Sequence, residues 1–91
     1  MKYQILYAET IDFKWLKKQS PEIKKRIQKE IELKLRDRPE LFGKPLRKSL
    51  KGYRRLRIGS YRVLFKIDNS FVKIVFIGMK PDVYQEFLNK K

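Results

Sequence analysis

Neither cysteine nor histidine occurs among the 91 residues of this chain. The first absence excludes disulfides and thiolate metal sites, and it suits a reducing compartment. The second removes the commonest acid–base side chain and the commonest metal ligand, so any catalysis falls to Lys, Arg, Tyr, Asp or Glu. Acidic residues are scarce as well, ten Asp and Glu against 24 Lys and Arg, for a formal net charge of +14. A surplus of that size concerns partners rather than fold, and the partners it suits are polyanions or an acidic protein. No run approaches the ~20 apolar residues that span a bilayer. The start, "MKYQILYAETIDF", has no long apolar region followed by a small-residue cleavage site, so a signal peptide is not expected. These absences point to a cytoplasmic chain with no membrane partner.

What remains is enough for one core. Hydrophobic residues make up 42% and aromatics 13% of the chain, a composition that folds rather than stays disordered, and residues 1–91 read as a single domain. "KYQILYA" alternates β-branched and aromatic residues as a strand does. Thr10 is placed to cap a short helix running to about Gln19, with Asp12 in its first turn and Ile11, Trp15 and Leu16 on one apolar side. "SPEIKKRIQKEIELKLRDRP" is the clearest helix. Ser20 is its N-cap, Pro21 its first residue, and Ile23, Ile27, Ile31 and Leu35 recur every four residues as one buried stripe, until Pro39 stops it. "ELFGKPLRKSLKG" reads as a linker that tucks Leu46 and Leu50 into the domain. Strands follow at about 53–58, 61–67 and 71–77, the last apolar at nearly every position, as in the middle of a sheet. The tail can start a helix at Pro81, pairing Val83 with Phe87 and Tyr84 with Leu88. The order is βααβββ with a helical tail, an α+β arrangement in which a small, mainly antiparallel sheet carries two N-terminal helices on one face.

Gly59-Ser60 has the form of a two-residue type II′ hairpin loop, with Gly at the first central position. It sets Ile58 opposite Tyr61, Arg57 opposite Arg62, Leu56 opposite Val63, Arg55 opposite Leu64 and Tyr53 opposite Lys66. Alternation then sorts the side chains. Leu56, Ile58, Tyr61, Val63, Phe65 and Ile67 form the core face under the helices. Tyr53, Arg55, Arg57, Arg62, Leu64 and Lys66 form the other, on which Arg57 and Arg62 confront each other.

From Lys44 to Arg62 there are eight basic residues and no acidic one. Lys44, Arg47, Lys48, Lys51, Tyr53, Arg55 and Lys66 accordingly read as a nucleic-acid-binding surface, phosphate-binding cations with aromatic neighbours. Strand directions bring residue 78 to the Gly59 end of the sheet, and with it "GMKPDVY", which carries Lys80 and Tyr84. Taken singly, these residues read equally well as a solvated lysine and a tyrosine packed on Leu88.

The basic linker "PLRKSLKG", the hairpin "YRRLRIGSYRVLFKI" and the ending "FIGMKPDVY" resemble, over essentially the whole chain, the RelE/ParE superfamily of toxins from toxin–antitoxin pairs. The resemblance implies a microbial RNase-like fold with the active face opposite the helices. For the RelE-like branch it implies a ribosome-dependent mRNA endonuclease, acting in the A site by attack of the ribose 2′-hydroxyl and using no metal or other cofactor. It assigns Arg62 to the scissile phosphate and Tyr84 to stacking on the cleaved nucleotide, with Arg57, Lys80 and Arg55 completing the site. Like charge from Arg57 and Arg62 would favour the neutral form of Lys80, a route to proton exchange. Many relatives carry His-Arg where this chain has Met79-Lys80, which leaves the general acid and base open. The implied partners are a cognate acidic antitoxin, in a hetero-oligomer with a toxin that is monomeric alone, and the ribosome with its mRNA. Two other functions fit the same hairpin, a ParE-like inhibitor of DNA gyrase and a non-catalytic nucleic-acid-binding module.

Overall fold

The computed structural model describes residues 2–79 and 83–90. Five strands form one sheet in the order β1-β5-β4-β3-β2: β1 Gln4–Tyr7, β2 Lys44–Pro45, β3 Arg54–Ile58, β4 Tyr61–Asp68 and β5 Phe71–Met79. β1 runs parallel to β5, and every other pairing is antiparallel. Among the described residues four α-helices accompany them, α1 Phe13–Lys17, α2 Pro21–Leu35, α3 Pro39–Phe42 and α4 Val83–Lys90. The α+β class and the βααβββ frame stand. The structure adds β2, α3 and one turn of 3-10 helix at Lys48–Leu50 inside the expected linker.

The helix caps divide between confirmation and correction. The Ser20 hydroxyl accepts from the Ile23 amide as expected, with Pro21 at the first helical position. In α1 the cap is Asp12, whose carboxylate accepts from the Trp15 amide at 3.0 Å. Thr10 is not the cap, because its hydroxyl donates instead to the Val75 carbonyl of the sheet. Pro39 ends one helix and opens another: it stands first in α3, where its missing N–H costs nothing.

That Val75 carbonyl belongs to a β-bulge. Leu64 lies opposite Phe76 while Phe65 lies opposite Ile74, so Val75 is the extra residue. Its effect on packing is direct. Val72, Ile74 and Ile77 join Leu56, Ile58, Val63 and Phe65 under Ile27, Ile31 and Leu35 of α2, whereas Val75 and Phe76 both turn to the other side. There they meet Leu64, Leu50 and Phe87, with Leu46, Tyr53 and Leu88 at the margin. The sheet therefore has apolar packing on both faces, a large cluster beneath α1 and α2 and a small one beneath α4.

Candidate nucleic-acid interface

The hairpin register is the expected one, Arg57 opposite Arg62 and Ile58 opposite Tyr61. Gly59 sits at φ +59 while Ser60 is not in the left-handed region, the pattern of a turn with Gly at its first central position. Gly78 pairs with Arg62 on β5, so the end of β5 does reach the hairpin turn. On the face opposite α1 and α2, three rows of residues follow. The first, at the turn, is Arg57, Arg62 and Gly78; the second is Lys44, Arg55, Leu64 and Phe76; the third is Lys66 and Lys73, with the Tyr53 ring beside Lys66.

The four hairpin arginines have four different environments. Arg54 is a structural tie, its guanidinium donating to the Gly43 carbonyl at 2.8 Å and the Glu40 carbonyl at 3.3 Å, and so holding α3 and β2 against β3. Arg55 is half-buried and Arg57 exposed. Arg62, which the resemblance assigns to the scissile phosphate, is only 3% exposed. Its guanidinium donates to the carbonyls of Gly59 and Tyr61, both at 3.2 Å, and so buckles the turn to the strand that follows it. Among the described residues no buried side-chain nitrogen or oxygen lacks a partner, as a buried charge requires.

Lys44, Arg47, Lys48 and Lys51 are exposed around the loop that carries the 3-10 turn. Leu50 anchors that loop in the small apolar cluster, which sets these cations along one flank of the second face. Lys48 holds φ +57, a left-handed conformation that costs a residue with a Cβ roughly 1–2 kcal/mol. Tyr53 lies edge-on to Phe87 with ring centroids 5.2 Å apart, and the Lys66 ammonium stands 5.9 Å from the Tyr53 ring centroid. Lys80 falls outside the described residues, and so does the side chain of Tyr84. Lys73 was not singled out by the sequence. It is the only charged residue in "FVKIVFI", and the alternation about Val72 and Ile74 was the signal that it points away from the core.

Two further features bound the chemistry. An apolar cleft of about 290 Å³ lies on the helix side between Tyr7, Phe13, Leu16, Ile27 and Ile31, away from the arginines. Among the described residues no three His, Cys, Asp or Glu side chains converge as metal ligands, and no helix is long and apolar enough to cross a membrane.

Residues 6–83 match the family model for the ParE toxin of type II toxin–antitoxin systems, parDE. Among solved structures, the toxin–antitoxin complex RelBE2 from Mycobacterium tuberculosis shares 29% identity at a TM-score of 0.79, over 88% of this chain and 93% of that one. The RelB–RelE antitoxin–toxin complex from Methanococcus jannaschii aligns at 24% identity and a TM-score of 0.62, over 90% and 98%. The YoeB–YefM complex from Staphylococcus aureus aligns at 19% and 0.63, over 89% and 100%. The last two likenesses show the fold alone. No curated protein sequence matches the chain at a significant level.

Proposed function

The chain belongs to the ParE toxin family and is a toxin of a type II toxin–antitoxin system, and on that premise we propose that it is a ribosome-dependent, metal-independent mRNA endonuclease that stops translation. Residues 1–91 would act as one toxin domain. The observation that carries the proposal is the turn-end row, in which exposed Arg57 stands directly over from buried Arg62, which pairs in turn with Gly78.

Cleavage by the neighbouring ribose needs three things. The 2′-oxygen gives up its proton and bonds to phosphorus; the bond to the 5′-oxygen breaks; that oxygen takes a proton, leaving a 2′,3′-cyclic phosphate and a 5′-hydroxyl. The pentacoordinate intermediate carries more negative charge than the ground state, so fixed cations accelerate the step by differential binding. Arg57 is the cation that can touch the phosphate. Arg62, held by two carbonyls in a site closed to water, is a positioning residue: it fixes the turn, and its charge acts across the row through a medium that screens it poorly. Proton exchange by Lys80 and stacking by Tyr84 complete the reading on the strength of the family resemblance. The antitoxin is the second partner. The relatives from M. tuberculosis, M. jannaschii and S. aureus were solved with theirs, and an acidic segment laid on the second face would supply the counter-charge this chain lacks.

Toeprinting of programmed ribosomes tests the proposal. Wild-type protein is expected to cut in the A-site codon, and Arg57→Gln and Arg62→Ala to lose the cut. A second reading, gyrase inhibition without cleavage, is favoured by the ParE family model and by the burial of Arg62. Intact mRNA together with loss of supercoiling in a gyrase assay would establish that reading instead.

A further inference from the structure

The end of the second face remote from the Gly59 turn carries another pair of like charges. Lys66 on β4 lies directly opposite Lys73 on β5, and both are exposed. No ion pair is formed by either one with a described carboxylate, including Asp68, which follows on the same face of β4. Like charges placed directly opposite destabilise a sheet. Folding alone gives no reason for the pairing, and Tyr53, gripped by Phe87, gives the Lys66 ammonium an aromatic neighbour.

We propose that Lys66 and Lys73, with Tyr53 beside them, form a second phosphate site for a single-stranded RNA whose scissile phosphate lies at Arg57. Four residue steps along β4 lead from Arg62 to Lys66, a span of about 13 Å at roughly 3.3 Å per residue. A strand that bridges both ends must therefore be longer than a dinucleotide. Its path follows the second face of β3, past Arg55 and Lys44 and then Tyr53, along the flank of α4 that the basic loop borders. Arg57 and Arg55 on β3, with Lys44 beside Arg55, thus lead from the exposed cation at the turn toward the Lys66–Lys73 pair at the other end.

The inference rests on the nuclease reading for the identity of the strand, and its test is run without ribosomes. Binding of labelled oligo(U) to the full chain is measured by fluorescence anisotropy over a salt series, for wild type, for Lys66→Gln with Lys73→Gln, and for Lys25→Gln with Lys29→Gln on exposed α2 as a charge-matched control. The slope of log K against log salt is expected to become shallower by about 0.7 for each phosphate that is no longer neutralised, in the Lys66/Lys73 variant only. Dinucleotide binding should not change. Equal losses in variant and control, or equal losses for dinucleotide and oligo(U), would overturn the site and leave only a diffuse field. So would an unchanged slope for RNA with a loss confined to polyglutamate, which would make the pair a docking point for an acidic protein. A chain that binds RNA as expected yet leaves ribosomal mRNA intact would sink the nuclease reading and keep the site; cleavage with an unchanged slope would do the reverse.

Discussion

The two faces of this sheet obey the same alternation and reach opposite outcomes. Beneath α1 and α2 the middle of β3, β4 and β5 presents only apolar, closed side chains, among them Leu56, Ile58, Val63, Phe65, Val72, Ile74 and Ile77. On the other face only the centre is apolar, beneath Phe87, while Arg57 and Arg62 occupy one end and Lys66 and Lys73 the other. Burial of apolar area explains the first face completely. The second spends stability on repulsion at both ends, and a fold tolerates that only where a ligand or partner gains from it.

The sharpest way to test this contrast is to remove one large side chain from each face. Phe65, fully buried among the α2 isoleucines, should cost about 3–5 kcal/mol as Phe65→Ala, the range for aromatic truncation in a core. Phe87→Ala should cost toward the lower end of that range, because the eight-residue α4 that carries it can detach without opening the main cluster. Urea denaturation measures both, and equal losses would mean that the second face is as much a core as the first.

Activity should separate in the opposite sense. Arg57→Gln removes an exposed cation from the turn-end row and is expected to slow mRNA cleavage by about 10²–10³-fold, the usual effect of losing one fixed donor to a developing oxyanion. Its urea midpoint should hold or rise. A coupled loss of stability would place Arg57 among the structural arginines with Arg54.

That division among the arginines was only partly legible. The hairpin register, both faces and the α2 stripe follow from Gly59-Ser60 and from local periodicity, which act between near neighbours in sequence. Arg62 falls in the row expected of it, and its burial against main-chain carbonyls left no sign in the local pattern, since the folded turn rather than residue type supplies those acceptors. β2 was hidden because it is two residues long and contains Pro45, which has no N–H to give a ladder. The Val75 bulge could not be read from "FVKIVFI", where apolar residues on both sides of the strand after Lys73 erase the alternation that would have marked it.

Lys73 makes the trade on the second face directly measurable. Lys73→Glu replaces a repulsive cross-strand pair with an attractive one opposite Lys66, so thermal stability should rise by roughly 0.2–1 kcal/mol, while RNA affinity falls. A variant with weaker RNA affinity and no gain in stability would show that solvent already screens the Lys66–Lys73 repulsion, and the second face would then bear no cost at that end.

The smallest expected effect comes from the helix side. Tyr7 has its pKa raised above the ordinary tyrosine value, first by burial and then by the nearby Glu32 carboxylate, against an opposing pull from Arg36. Because the folded state holds the phenol proton more tightly than the unfolded chain, this contribution to stability is complete below the unfolded pKa of about 10 and is lost as pH rises through the folded value. Tyr7 is 44% exposed, so solvent screening keeps this contribution small. Tyr7→Phe removes the titrating group while keeping the ring against the α1–α2 cleft, and the fall in urea midpoint above pH ~10 should become shallower in that variant. An identical fall in both proteins would assign the alkaline sensitivity to the many lysines instead, and so to surface charge as a whole rather than to this one tyrosine.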